Sequence, residues 1–413
     1  MNNAKGTFLP IILGTDANAY GLARSFNDMY NIKSLAIGSG ALRETKNSKI
    51  IDVITVPNFR NPDVFLKTLM EVGEKYKKEY EQLILLSCAE WYTNPIVDNR
   101  QELEKYFILP FMDKDIKDRL EDKESFYQIC EEYNLDYPKT YIVTYDNYKE
   151  INLPFDFPVA VKPSSSTEYA NCEFNGKEKS YEVHNMDELN KVIKDIYSSS
   201  YRGHIIVQDF IPGDDSTMYV LNCYSNKDGK VKMMCLGRCI LEEHTPYGVG
   251  NYRAIISEGN DKIYKQIKEF LEKINYIGFS NFDLKYDYRD KTFKLFEINI
   301  RQGRSSYFTT AAGMNMAKYL VEDYVLNLDK ETEYNYNKHL WLHTPIKVLK
   351  KYVYNQEVLN EALNLIKEGK YSYTLFNPRD NNIIRHLWMR RIYNKDIKMF
   401  KLYPPKESDE NGK

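Results

Sequence analysis

The 413-residue chain contains no apolar run approaching the roughly 20 residues needed to cross a bilayer. Its opening, MNNAKGTFLPIILGTD, has too short an apolar core for a secretory signal. Neither a span nor export is expected, and the expected location is the cytoplasm. Net charge is also scarce: 57 Lys+Arg against 59 Asp+Glu leave −2 at pH 7, which argues against general nucleic-acid binding. The six cysteines (Cys88, Cys130, Cys172, Cys223, Cys235, Cys239) form no CxxC pair, a pattern that fits reduced thiols rather than a disulfide framework or a zinc site. Cys235 and Cys239, four apart in an expected strand, read as packing residues. There is no GxSxG elbow and no Cys/His pair. The six histidines are dispersed, and His244, in EEHTPYGVGN, reads as a surface histidine and is the one to watch. Gly14 and Gly21 do not form GxGxxG, so no dinucleotide site is expected at the N-terminus. Gly14 permits a turn, and Asp16 and Asn18 at a helix start are candidates to meet a substrate group.

What is present is a pair of acids that should repel. Residues 281–301, NFDLKYDYRDKTFKLFEINIR, alternate as a hairpin around a polar turn at 288–291, with Phe282, Leu284 and Tyr286 on one side and Phe296, Ile298 and Ile300 matching them. If Asp283 pairs with Glu297, the other face carries Asn281, Asp283, Lys285, Glu297 and Asn299. Two carboxylates about 5 Å apart repel by roughly 3 kcal/mol at an effective dielectric of about 20. A divalent cation reverses that sign, and hard oxygen ligands suit magnesium, which is commonly held by one or two carboxylates plus nucleotide phosphates. The alternative is a solvated face on which Lys285 neutralises the acids.

Strand and helix alternate through FLPIIL, GTDANAYGLARSFNDMY, SLAIG (34–38), a helix near 64–80 and QLILLSC (82–88), which predicts a parallel, Rossmann-like sheet in residues 1–115. A second unit runs from the helix KESFYQICEEY to the strand FPVAVKP, a loop SSSTEYA and the helix DELNKVIKDIY, and occupies 116–205. HIIVQDFIPGDDSTMYVLNCY, VKMMCLGRCILEE, a polar glycine-bearing loop and the hairpin make a third, 206–330. Residues 331–413 form a C-terminal extension. Its stretch IIRHLWMRRIYNKDIKMFKLYPPK carries Arg385, Arg390, Arg391, Lys395, Lys398 and Lys401 among apolar residues, and fits either an interfacial helix or a solvated helix with one face packed on the body. The final KESDENGK is expected to be disordered.

A lysine on the buried strand VAVKP requires an anion, since an unpaired ammonium there is costly. The order Lys123, Lys162, VQDFIPG, Asp283, Glu297, Asn299 resembles the ATP-grasp superfamily, over residues 1–330. That resemblance implies a mixed α/β and α+β fold: a Rossmann-like leading domain, then two α+β subdomains clamping ATP. By the same resemblance Lys123 and Lys162 meet the phosphates, and Ser164, Ser165, Ser166 and Thr167 form the small-residue loop over them, although no glycine stands there. Gln208, Asp209 and Ile211 form the strand that docks adenine through backbone groups, with Gln208 where an acid is often found, and Asp215 holds ribose. Asp283, Glu297 and Asn299 are the magnesium ligands. Arg301 and Arg304 stand beside the transferring phosphoryl group or a substrate carboxylate, with Arg253 a further candidate. Ser305 and Ser306 either add hydrogen bonds there or cap the helix that follows.

IILGTDANAYGLARSFN, VQDFIPGDDSTMYVLN, KMMCLGR, GFSNFDLKYDYRD and KLFEINIRQGRSS together resemble the D-aspartate ligases of Gram-positive cell-wall synthesis, through nearly the whole chain. The resemblance implies ATP and Mg2+ as cofactors, D-aspartate as the activated carboxylate and a peptidoglycan precursor as the amine acceptor, with peripheral contact between the basic tail and the inner membrane face. A ligase for another amino acid or acceptor, or a nucleotide-binding regulator without turnover, fits the same motifs.

Overall fold

A computed structural model describes residues 7–246 and 248–405; the expected disordered tail and the side chains of Ser166 and Thr167 lie outside what it describes. Four strands, β1 (Phe8–Leu13), β2 (Ser34–Gly38), β3 (Ile51–Thr55) and β4 (Gln82–Ser87), form a parallel sheet in the order β3-β2-β1-β4. Every residue of central β1 is buried, as an unbroken apolar run in a covered parallel sheet requires. The edge strand β3 was not anticipated, because IDVIT is half-exposed and lacks the continuous apolar run of its neighbours.

A second sheet has β5 (Thr140–Val143), β6 (Val159–Pro163), β7 (Tyr181–Val183) and β8 (Ile205–Asp209) in the antiparallel order β5-β8-β6-β7. The expected loop SSSTEYA is largely helical, over Ser166–Ala170, because the Ser165 hydroxyl accepts the Glu168 N–H at 3.2 Å and caps it.

The third sheet positions the site. It contains β9 (Met218–Ser225), β10 (Val231–Glu242), β11 (Tyr252–Glu258), β12 (Gly278–Asp287), β13 (Thr292–Asn299), β14 (Glu333–Tyr334), β15 (Leu340–Leu342) and β16 (Tyr371–Tyr373), in the order β13-β12-β9-β10-β11-β15-β16, with β14 on β10. The C-terminal extension is therefore part of the sheet rather than an appendage. Cys235 and Cys239 are buried on β10, and all six cysteines are buried and unpaired. The hairpin register is as expected at its open end, with Asn281 opposite Asn299 and Asp283 opposite Glu297. A bulge then shifts it, pairing Leu284 with Leu295. Phe296 is left as the extra residue and does not join Phe282 and Leu284 in the core; that place goes to Phe293 and Leu295.

Candidate active site

The bulge leaves Asp283 and Glu297 side by side. Burial, and then the charge of Glu297, push the Asp283 carboxyl well above its ordinary pKa, and Tyr252 donates to its Oδ1 at 2.9 Å. Burial also acts to raise Glu297, but the ammonium groups of Lys123 and Lys162 and the hydrogen bond from Asp283 outweigh it and hold that carboxyl below its ordinary value. Burial and mutual repulsion thus oppose ionisation of Asp283 beside Glu297. Lys285 is not the counter-ion: its Nζ lies over the Phe210 ring at 5.3 Å, and burial lowers its pKa with Glu242 and Asp215 as its nearest anionic influences. The solvated-face reading of the hairpin therefore fails.

This donor set fits magnesium held together with phosphate oxygens. Among the described residues no cluster of three or more His, Cys, Asp or Glu forms a protein-only metal cage, and two carboxylates with an amide oxygen match an ion that takes its remaining ligands from a nucleotide. The Asn299 amide nitrogen faces the Asp283 carboxylate at 3.3 Å, while its Oδ1 accepts from Arg301 Nη2 at 3.2 Å. Turning that amide over brings its oxygen to the acids.

Lys162 on β6 donates to the Tyr127 hydroxyl at 3.2 Å and lies 5.9 Å and 5.5 Å from the Tyr127 and Phe296 ring centres. Burial pushes its pKa down to about 8. Lys123, the first residue of the helix Lys123–Glu132, is lowered by burial and by Lys162. Two lysines are thus gathered beside Glu297. Two residues past β8, Ile211 is buried, at 3% exposure. The Asp209 carboxylate, by contrast, is engaged by Arg289 at 2.7 Å and 3.2 Å, and the Gln208 amide donates to Thr140 at 2.8 Å. Asp215 accepts the Glu242 N–H at 2.8 Å and meets His244 Nε2 at 3.0 Å, so His244 is a half-buried, paired histidine rather than a plain surface one. Ser164 and Ser165 are turned to Tyr201, Ser164 through its hydroxyl and Ser165 through its N–H, both at 3.4 Å, rather than to the acids.

A cavity of about 240 Å³ opens beside the acid pair, lined by Asp283, Glu297, Asn299, Arg301, Arg304 and Ser305, among others. The loop after β13 is held from the N-terminal sheet: Gln302 Nε2 donates to Ser87 O at 2.8 Å, Asn18 Nδ2 donates to Gln302 O at 3.3 Å, and Arg301 meets Glu90 at 2.7 Å. Asp16 caps the helix Ala17–Tyr30, and Asn18 in its first turn is the residue that reaches the loop. A side chain at Gly303 would bring a Cβ within 2.7 Å of the Asn281 amide nitrogen, which closes the loop down onto the hairpin. Arg304 is exposed, with Asn251 at 3.4 Å. Ser306 makes no side-chain cap to the helix Tyr307–Ala311. Arg253 is already engaged by Glu243 and, at 3.5 Å, by Asp396.

Sequence reasoning missed five residues. Tyr127 joins Lys162 to the Phe296 carbonyl, to which it donates at 3.0 Å. Lys179 reaches across the cleft to donate to Val249 O at 2.6 Å and lines the cavity. Glu90 holds Arg301. Trp341 and His343 line the far wall with rings stacked 5.9 Å apart. Burial, with Arg253 and Arg304 nearby, drives the His343 pKa well below 6.5 and keeps the imidazole neutral. WLHTP carries no motif signal; only the pairing of β15 with β11 brings it there.

No family model matches the chain. A D-aspartate ligase of Enterococcus faecium (strain Aus0004) is 44% identical over 406 residues, covering 96% of each chain. The carbamoyl phosphate synthase large chain of Thermoanaerobacter sp. (strain X514) is 26% identical over 257 residues, 59% of this chain and 22% of that one. Among solved structures, an ADP complex of N5-carboxyaminoimidazole ribonucleotide synthetase superposes with TM-score 0.60 at 13% identity over 96% of this chain and 98% of that one. An L-amino acid ligase from Bacillus licheniformis gives 0.53 at 14% identity over 76% and 73%. At these identities the superpositions speak to fold alone.

Proposed function

The chain belongs to the D-aspartate ligase family, and we propose from that premise that it activates the β-carboxylate of D-aspartate with ATP and joins it to the lysine side-chain amine of a peptidoglycan precursor in the cytoplasm. It is an ATP-dependent carboxylate–amine ligase with the ATP-grasp fold. The observation that carries the substrate-level reading is the Asp283–Glu297 pair, set between two lysines on one side and an arginine-bearing cavity on the other.

In this reading Lys123 and Lys162 hold the phosphates, the Ile211 N–H meets the adenine edge and Asp215 the ribose. Asp283, Glu297 and Asn299 would hold magnesium, which supplies neutralisation of phosphate charge. Arg301, oriented by Glu90, and Arg304 receive the substrate carboxylates and the transferring phosphoryl group; Ser305 adds a hydroxyl. The carboxylate attacks the γ-phosphoryl to give an acyl phosphate and ADP. The amine then displaces phosphate, and the proton it loses passes to the departing phosphate. Positioning and electrostatics carry the reaction, with no protein nucleophile.

Purified protein supplied with ATP, magnesium, D-aspartate and the precursor is expected to release ADP and phosphate and to give a product heavier by one aspartyl group in mass spectrometry. ADP release with another amino acid and none with D-aspartate would overturn the substrate; none with any pair would favour a regulator.

A further inference from the structure

The C-terminal helix Ile383–Leu402 packs through Arg385, Met389, Tyr393, Asp396 and Phe400, recurring every three or four residues along one side. Its outward side divides into two kinds of residue. Ile383, Ile384 and Leu387 in its first turns are 82%, 51% and 54% exposed, and Leu402 at its end is 69% exposed. Between and beside them stand Arg390, Arg391, Lys395, Lys398 and Lys401, all exposed. The helix has a single acid, Asp396, and it lies on the buried side against Thr344 and Arg253. A chain of net charge −2 therefore presents one helix face with cations, aliphatic side chains and no anion. The surface continues onto the adjacent loop. Arg43 lies 5.5 Å from the centre of the Trp388 ring that Arg391 also covers, at 5.0 Å, and Leu42 is 50% exposed.

We propose that this face docks on an anionic lipid membrane. Charge alone would suit nucleic acid or an acidic protein, but phosphate or carboxylate gains nothing from exposed Ile383, Ile384 and Leu387. A lipid surface takes both, burying the aliphatic side chains at the headgroup boundary while the lysine and arginine heads meet anionic headgroups. A second copy of the chain would set these cations against each other. No helix among the described residues is long and apolar enough to cross a membrane, so the contact is peripheral. The proposal goes beyond the ligase reading and does not depend on it.

The test is flotation of the full chain with phosphatidylglycerol-rich vesicles and with pure phosphatidylcholine vesicles. Binding to the first only, weakened by added salt, is expected. R391Q/K395Q/K398Q should weaken partitioning by roughly 100-fold, at about fivefold for each cation near an anionic surface. I383N/L387N should weaken it by roughly tenfold with the salt dependence unchanged. Both variants should keep wild-type thermal unfolding, and R391Q alone serves if the triple variant does not fold. Equal binding to both vesicles, no binding, or binding unaffected by the substitutions would overturn the proposal. So would self-association, or capture by an RNA homopolymer, that the same substitutions abolish while vesicles bind nothing. None of these outcomes touches turnover with a soluble acceptor, so failure here is distinguishable from failure of the ligase reading.

Discussion

Glu297 and Lys162 make the site's electrostatics testable one residue at a time. Glu297→Ala removes the acid that Lys123 and Lys162 hold below its ordinary pKa and leaves Asp283 without its partner. Turnover should fall at least ~1,000-fold, since it removes a charged ligand from a site that works by electrostatic stabilisation, while circular dichroism stays native; a normal rate would end the metal assignment. Lys162 gives a pH dependence whose sign is fixed. Its pKa is about 8 without nucleotide, and phosphate anions favour the charged form, raising it on binding. ATP affinity should therefore be full below pH 8 and fall as pH rises past it, with proton uptake near pH 8 measurable by calorimetry in buffers of different ionisation enthalpy. Pairing Asp283 with Glu297 was legible in the sequence, because alternation fixes register wherever one face is buried. Tyr127, Glu90, Lys179, Trp341 and His343 were not, because each acts through a contact distant in sequence and sits in an unremarkable local pattern.

At the scale of elements, apolar runs identified β1, β2, β4, β6 and β8 and the hairpin of β12 and β13, whereas half-exposed β3 and the two- and three-residue strands of the C-terminal extension carry too little pattern to be read. The bulge at Phe296 was invisible for another reason: inserting one residue leaves FKLFEINI alternating plausibly in either register. SSSTEYA illustrates the same limit, since polar composition suits a loop and a capped short helix equally. One cross-cleft contact is open to test. The Lys179 ammonium donates to Val249 O from the segment before β7, joining the small sheet to the loop between β10 and β11. Lys179→Ala should raise the KM for ATP by roughly tenfold, as loss of one hydrogen bond to a charged donor costs about 1.5–3 kcal/mol when formed. Tryptophan and tyrosine fluorescence should report a looser cleft, and an unchanged KM would make the contact incidental.

For the whole molecule, the Rossmann-like domain and the clamp were readable as an order of motifs, but their mutual arrangement was not. Nothing in the sequence reveals that Ser87, Glu90 and Asn18 hold the RQGRSS loop, or that β15 and β16 extend the catalytic sheet. A chain ended at Asn337 should lose soluble expression, because removal of β15 and β16 uncovers Ile240, Ala254 and Ile256, which are at most 2% exposed in the native fold. Native-like melting of such a truncation would show the extension to be dispensable. The order of that sheet also bears on synthesis. Its hairpin and middle strands leave the ribosome well before Trp341 and His343, and β16 is among the last elements made. A polypeptide that stops short of β15 therefore carries the acid pair and both lysines but lacks the Trp341 and His343 side of the cavity.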